Sequence, residues 1–300
     1  MTALGEIHVT RIGSIASRLV AGELEARVWG ATSRGVFLHL ASGWITYLSP
    51  EEIPGPLTLN LRGDTGRIKT IRNGEAARVS SQYIDFPESG LQIEVSQAVA
   101  WQATPPPHTP INLEECRARL KEVSRLVVNR PERASRTASP LFQSFLVLSG
   151  LLEPADLPGN PLFPLLERLM KAREEKAARK LIECLEALLG MGSGLTPSGD
   201  DLSIGLLITL NRWGHQLEPE LDIGSINKLI TQAAYSRTTL LSANLIECAA
   251  QGQANQRLIL SLDGMMTGVP DSERCAGLLA GWGNTSGLDA LVGMGVVIGW

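Results

Sequence analysis

Thr104-Pro105-Pro106-Pro107-His108-Thr109-Pro110 divides the chain into two parts of different periodicity. A proline has no N–H and holds φ near −65°, and the residue before it is pushed towards an extended shape, so neither a helix nor a central strand runs through such a segment. Upstream, Leu24, Ala26 and Val28 alternate with Glu23, Glu25 and Arg27, and Leu91, Ile93 and Val95 alternate with Gln92, Glu94 and Ser96. Period two with one apolar face predicts strands. Further strands are expected at residues 36–40, 44–48, 57–61, 67–71 and 78–84. Asn73-Gly74 predicts a hairpin turn, because both positions tolerate φ > 0, and Ser42-Gly43 predicts a weaker one. Many short strands broken by turns predict a small antiparallel β barrel-like domain over residues 1–104.

Downstream the apolar spacing becomes helical. Helices are expected at 113–128, 163–189, 201–213, 223–234, 239–251 and 271–279, with a last one following Gly287. The charged middle of the 163–189 segment, Lys171-Ala172-Arg173-Glu174-Glu175-Lys176, reads as a solvated face. A Pro-rich loop at 154–161 precedes it. The expected class is α+β, an antiparallel barrel-like domain followed by an all-α domain over residues 111–300.

Composition limits the function classes. A 300-residue chain buries about three quarters of its unfolded surface and needs no disulfide or metal to fold. The net charge of −4, with acids and bases interspersed, lacks the basic footprint of a nucleic-acid binder and the cationic cluster of an anionic-membrane binder. Cys116, Cys184, Cys248 and Cys275 are far apart, no Cys-x-x-Cys occurs, and His8, His39, His108 and His215 are scattered. That pattern argues against zinc and fits a reducing, cytoplasmic compartment. The first residues lack a basic segment followed by an apolar core, so no signal peptide is read. The apolar segment 290–300 is short for a membrane span and reads as a buried helix. With six tryptophans, it also leads to the expectation of a homo-oligomer.

The chemistry concentrates in two loops. Gly190-Met191-Gly192-Ser193-Gly194-Leu195-Thr196-Pro197-Ser198-Gly199-Asp200-Asp201 packs glycines, hydroxyls and paired carboxylates just before an apolar helix. Thr196-Pro197 reads as one helix start and Ser198-x-x-Asp201 as another. Gly281-Trp282-Gly283-Asn284-Thr285-Ser286-Gly287-Leu288-Asp289 has the same grammar. Aligning Ser198 with Ser286 places Gly199 on Gly287, Asp201 on Asp289 and Gly205 on Gly293. Small residues at the last pair would let two helices pack closely, with both N-termini facing one pocket. Neither loop needs a ligand to explain it, since a first-turn Asp stabilises the helix dipole by about 0.3–1 kcal/mol. A matched pair with a doubled acid points further, to a small anion or substrate amide held by backbone N–H groups.

The candidate anion-binding residues are therefore Gly192, Ser193, Gly194, Thr196, Ser198, Gly199, Gly283, Asn284, Thr285, Ser286 and Gly287. Asp200, Asp201 and Asp289 are the candidate catalytic acids. Arg237, in the hydroxyl-rich cluster from Tyr235 to Asn244, is a further candidate for a carboxylate or phosphate. Asp200 and Asp201 are also the expected ligands of a Mg²⁺ bridging a phosphate, the alternative to a base with a raised pKa. No Gly-Lys-Ser/Thr follows the glycines, which sets the first loop apart from a nucleotide P-loop.

Gly192-x-Gly194-Leu195-Thr196-Pro197-Ser198-Gly199-Asp200-Asp201 and Gly283-Asn284-Thr285-Ser286-Gly287-x-Asp289, with the 239–252 segment between them and, more weakly, residues 33–38, resemble the bacterial AllH-type family. The family was earlier described as carboxylase-like. The resemblance implies a subunit of oxamate carbamoyltransferase in ureide and allantoin catabolism, part of purine degradation. It implies oxamate, oxalurate and carbamoyl phosphate as ligands and other subunits as partners. Asn284 stands where the family often has His. Asn caps a helix but does not titrate. The other readings are a non-catalytic interaction subunit of the same complex and a Mg²⁺-dependent phosphotransferase or carboxylase-like enzyme.

Overall fold

A computed structural model of the chain describes residues 7–22, 24–32, 34–129, 139–153 and 160–299. They form two compact units, Met1–Ala103 and Thr104–Trp300. Glu23 of the first alternating pattern and most of the expected Pro-rich loop at 154–161 lie outside the described residues.

The first unit is a closed barrel of eight strands: β1 (Ile7–Gly13), β2 (Leu24–Thr32), β3 (Gly35–Leu40), β4 (Ile45–Ser49), β5 (Thr58–Arg62), β6 (Ala76–Val79), β7 (Tyr83–Phe86) and β8 (Leu91–Glu94). Going round the barrel the order is β5-β4-β3-β2-β6-β7-β8-β1, and β1 closes it by pairing with β5. Most neighbours are antiparallel; β4–β5 and β1–β8 are parallel. A ninth strand, β9 (Val99–Trp101), runs parallel to β1 at Arg11–Gly13, beyond the end of β8. A short helix, α1 (Ser14–Leu19), follows β1. The alternation read from the sequence sorts inside from outside: Ala26, Val28, Leu91 and Ile93 are buried, whereas Glu25, Arg27 and Gln92 are exposed.

Three local expectations change. Residues 67–71 are not a strand. Thr65–Thr70 is a 3-10 helix, and Ile68 and Ile71, both buried, lie three apart, which is its period. Asn73-Gly74 does turn, with Gly74 at φ 85°, but it joins that helix to β6 and is no hairpin. Instead it docks on the bulge of β2: Gly74 N–H donates to Val28 O at 2.8 Å and Ala31 N–H to Asn73 Oδ1 at 2.8 Å. The hairpin turn is the weaker signal, Ser42-Gly43, between β3 and β4. The run 78–84 breaks into β6 and β7, which pair with each other. Beside the turn, Glu75 is buried and accepts hydrogen bonds from the Ser89 N–H and hydroxyl and from the Arg72 N–H.

The second unit is helical among its described residues: α2 (Leu113–Val128), α3 (Pro140–Leu148), α4 (Phe163–Glu174), α5 (Ala178–Leu188), α6 (Ser198–Leu217), α7 (Ile223–Arg237), α8 (Leu240–Ala250), α9 (Gln256–Thr267), α10 (Ser272–Ala280) and α11 (Ser286–Ile298). The single helix expected over 163–189 is two helices. The chain reverses at Lys176, at φ 51°, just after the cations Lys171 and Arg173 that favour a helix C-terminus. Helices α3 and α9 were not expected. Both have caps, Ser139 and Asn255, and apolar residues at helical spacing, Leu141, Phe142, Phe145 and Leu146 in α3 and Leu258, Ile259, Leu262, Met265 and Met266 in α9, so their signal was present in the sequence.

Helices α6 and α11 form the middle of this unit. Residues 199–210 of α6 and 287–298 of α11 are buried all round, the pattern of core helices rather than amphipathic surface ones. They touch backbone to backbone. A Cβ on Gly205 would lie 1.9 Å from Ala290 O, and one on Gly293 would lie 2.0 Å from Leu202 O. The contact is reciprocal, since Ala290 corresponds to Leu202 under the same alignment that pairs Gly293 with Gly205.

Candidate functional site

The crossing lies within the first two turns of both helices, so it brings their N-termini together. At about 1.5 Å rise per residue, Gly205 is only ~6 Å along the axis from Asp201. The loops entering the two helices repeat one hydrogen-bond scheme. After α5, Leu188 O accepts the Met191 N–H at 3.0 Å, and Met191 O accepts the Gly199 N–H at 2.9 Å. After α10, Leu279 O accepts the Trp282 N–H at 3.2 Å, and Trp282 O accepts the Gly287 N–H at 3.1 Å. Gly199 and Gly287 back onto those carbonyls, where a Cβ would fall 1.9 Å from Leu188 O and 1.9 Å from Leu279 O. A side chain at either position would force the loop off its helix.

The two loops meet over buried acid. Thr196 Oγ1 and Ser286 Oγ lie 3.2 Å apart, and Thr196 Oγ1 donates to Asp201 Oδ2 at 3.2 Å. Asp201 is 1% exposed and Asp289 0%. Asp201 Oδ1 has no hydrogen-bond partner among the described residues. Burial holds the Asp201 carboxyl well above the ordinary carboxylate range, and the neighbouring Asp289 charge adds to this; the Ser286 and Thr196 hydroxyls oppose it. Asp289 Oδ1 accepts a hydrogen bond from the Ser139 hydroxyl of the α3 cap, a contact with no signal in the sequence.

Above the acids is an exposed rim. Gly192, Ser193, Gly194 and Asn284 are exposed; Thr196, Ser198, Gly283, Thr285 and Ser286 are half-buried. None of the backbone N–H groups of residues 192–196 or 283–286 donates to another described residue. The Gly199 and Gly287 N–H groups, by contrast, are taken by their own loops.

Asp200 and Arg237 lie in other networks. Asp200 Oδ1 accepts the Gly190 N–H at 2.8 Å, and its Oδ2 accepts the Thr238 hydroxyl. Burial raises its pKa, and the Thr238 hydroxyl, the Gly190 N–H and the Ser242 hydroxyl oppose the shift. Asp200 thus ties the first turn of α6 to the exit of α5 and to the α7–α8 junction. Arg237 is exposed; its Nη1 donates to Glu186 O at 3.2 Å, and its Nη2 lies 3.5 Å from Glu186 Oε2. Among the described residues no group of three or more His, Cys, Asp and Glu side chains is placed to share a metal ion. No helix among them is long and apolar enough to cross a membrane.

The two hydroxyls, and the two runs of N–H groups that donate to no other described residue, are groups that can bind an oxyanion or a planar carbonyl, and Thr196 links the rim to the Asp201 carboxyl, whose proton affinity burial raises. No solved structure matches the chain. Residues 188–298, the segment that carries both loops and both buried acids, match the model of the family described as oxamate carbamoyltransferase subunit AllH, the family the loop motifs resemble.

Proposed function

We propose that this chain is a subunit of a carbamoyltransferase that acts on oxamate and carbamoyl phosphate in ureide breakdown, with the substrate bound at the paired loops. In the catabolic direction a phosphate oxygen attacks the carbamoyl carbon of oxalurate. The bond from that carbon to the amide nitrogen breaks, and the nitrogen takes a proton, giving oxamate and carbamoyl phosphate. Negative charge develops on the carbonyl oxygen, and N–H donors fixed in advance around it lower the barrier. The N–H groups of residues 192–196 and 283–286 serve this purpose in the proposed site. Asp201, behind Thr196, is the proton source for the leaving nitrogen. The observation that carries the reading is the meeting of Thr196 and Ser286 above Asp201.

Thermal shift of the purified chain tests it. A ligand at a hundred times its dissociation constant adds about 2.7 kcal/mol of stability, so carbamoyl phosphate or oxamate should raise the melting temperature of the wild type and leave Asp201→Asn unmoved. Titrations with and without Mg²⁺ read out whether the metal expected on Asp200 and Asp201 takes part. A second reading, a non-catalytic interaction subunit, is favoured by the complete burial of Asp201 and Asp289. It requires that neither ligand shifts the melt and that Asp201→Asn leaves the activity of the reconstituted complex unchanged.

A further inference from the structure

The two loop–helix repeats differ at one point. In the first, Asp201 receives a hydroxyl from its own loop, at Thr196. The corresponding residue in the second loop is Asn284, which is exposed, and Asp289 takes its hydroxyl from Ser139 instead. Ser139 lies outside the family-matched segment and is 1% exposed. Its oxygen accepts the Phe142 N–H at 3.1 Å, the cap of α3, so its own proton is left to point at the carboxylate. Six residues along both helices, the Phe145 ring fills the space beside Gly295, where a Cβ would fall 2.4 Å from Cζ. That contact holds α3 along α11 independently of the Ser139 hydroxyl.

We propose that Ser139 is a positioning residue of the candidate site: its hydroxyl replaces the one the second loop lacks and holds the Asp289 carboxylate opposite Asp201. The role in ligand binding rests on the functional reading above; the link between Ser139 and Asp289 does not. Three variants separate this role from capping. Ser139→Thr keeps both cap and hydroxyl. Ser139→Gly keeps most of the cap, because Gly is nearly as good an N-cap as Ser, but removes the hydroxyl. Ser139→Ala loses both. Calorimetric titration with carbamoyl phosphate should give a dissociation constant at least tenfold weaker for Ser139→Gly and Ser139→Ala, and within about threefold of the wild type for Ser139→Thr, a rescue that capping alone does not give to Gly. Wild-type affinity in Ser139→Gly overturns the proposal. A ligand-free arm covers the case in which the wild type binds no carbamoyl phosphate, which would count against the functional reading instead. There, Ser139→Gly should lower the melting temperature more in the wild type than in Asp289→Asn, because a hydroxyl bound to a charged oxygen is worth more than one bound to an amide. Equal decreases in the two backgrounds mean the residues are uncoupled, and the positioning role fails.

Discussion

Asp201 and Asp289 are both buried where two helix N-termini meet. Each terminus carries about half a positive charge, so the pair presents roughly one. One ionised carboxylate balances it; a second is in excess and has no water to solvate it. Burial and the Asp289 charge accordingly push the Asp201 carboxyl well up. A carboxyl whose folded pKa exceeds its unfolded value holds its proton more tightly when folded. The stability it lends is complete below the ordinary carboxylate range and is lost as pH rises through that range to the raised folded value. Asp201→Asn has no such loss. In urea titrations the variant should therefore gain on the wild type between pH 4 and pH 8, by roughly 1.4 kcal/mol for each tenfold change in proton affinity. A constant difference across that range would mean that Asp201 is ionised when folded. A gain in stability together with a loss of ligand binding is the pattern of a residue kept for function at a cost to the fold.

At the scale of elements, the glycines of the α6–α11 crossing were legible as spacing, though not as contact. Gly205 and Gly293 align in sequence, and the structure puts each against the other helix's backbone. On propensity alone Gly→Ala in a helix stabilises by about 1 kcal/mol. Here the added methyl has no room, and overpacking costs about 1–3 kcal/mol or more. Gly205→Ala and Gly293→Ala should each lower the urea midpoint, and each should weaken carbamoyl phosphate binding by spreading the two N-termini. A rise in midpoint would show the crossing to be looser than described. Elsewhere, element type followed local period, and the errors had local causes. Ile68 and Ile71 carry a period of three inside a strand-like composition. Lys176 turns the chain left-handed with no glycine to announce it.

Across the whole molecule, the helical unit is fastened by an ion pair between buried Arg212 and half-buried Asp263 that no pattern announces. Arg212 Nη2 donates to Asp263 Oδ2 at 2.7 Å and to Thr104 O at 2.9 Å, and Trp213 Nε1 donates to Asp263 Oδ1 at 3.0 Å. The Arg212 side chain is 3% exposed. Asp263→Ala strands that charge, and the expected cost is about 3–5 kcal/mol, read as a fall in the urea midpoint; a loss under 1 kcal/mol would show that water reaches the guanidinium. The sequence by itself determined the α+β class, the places of β2 to β5, of β8 and of most helices, and the glycine-rich loops that precede α6 and α11, because periodicity and turn chemistry act between residues a few positions apart; β1 and β9 carried no such signal, and neither α6 nor α11 starts on the side-chain cap expected of it. Only the tertiary structure decided that the barrel closes through β1 and β5, that Asp200 and Asp201 serve different networks, that Arg237 faces Glu186, and that Ser139 completes the acid pair. Those outcomes depend on which surfaces pack at large sequence separation, where shape and burial choose among partners that the local pattern leaves equal.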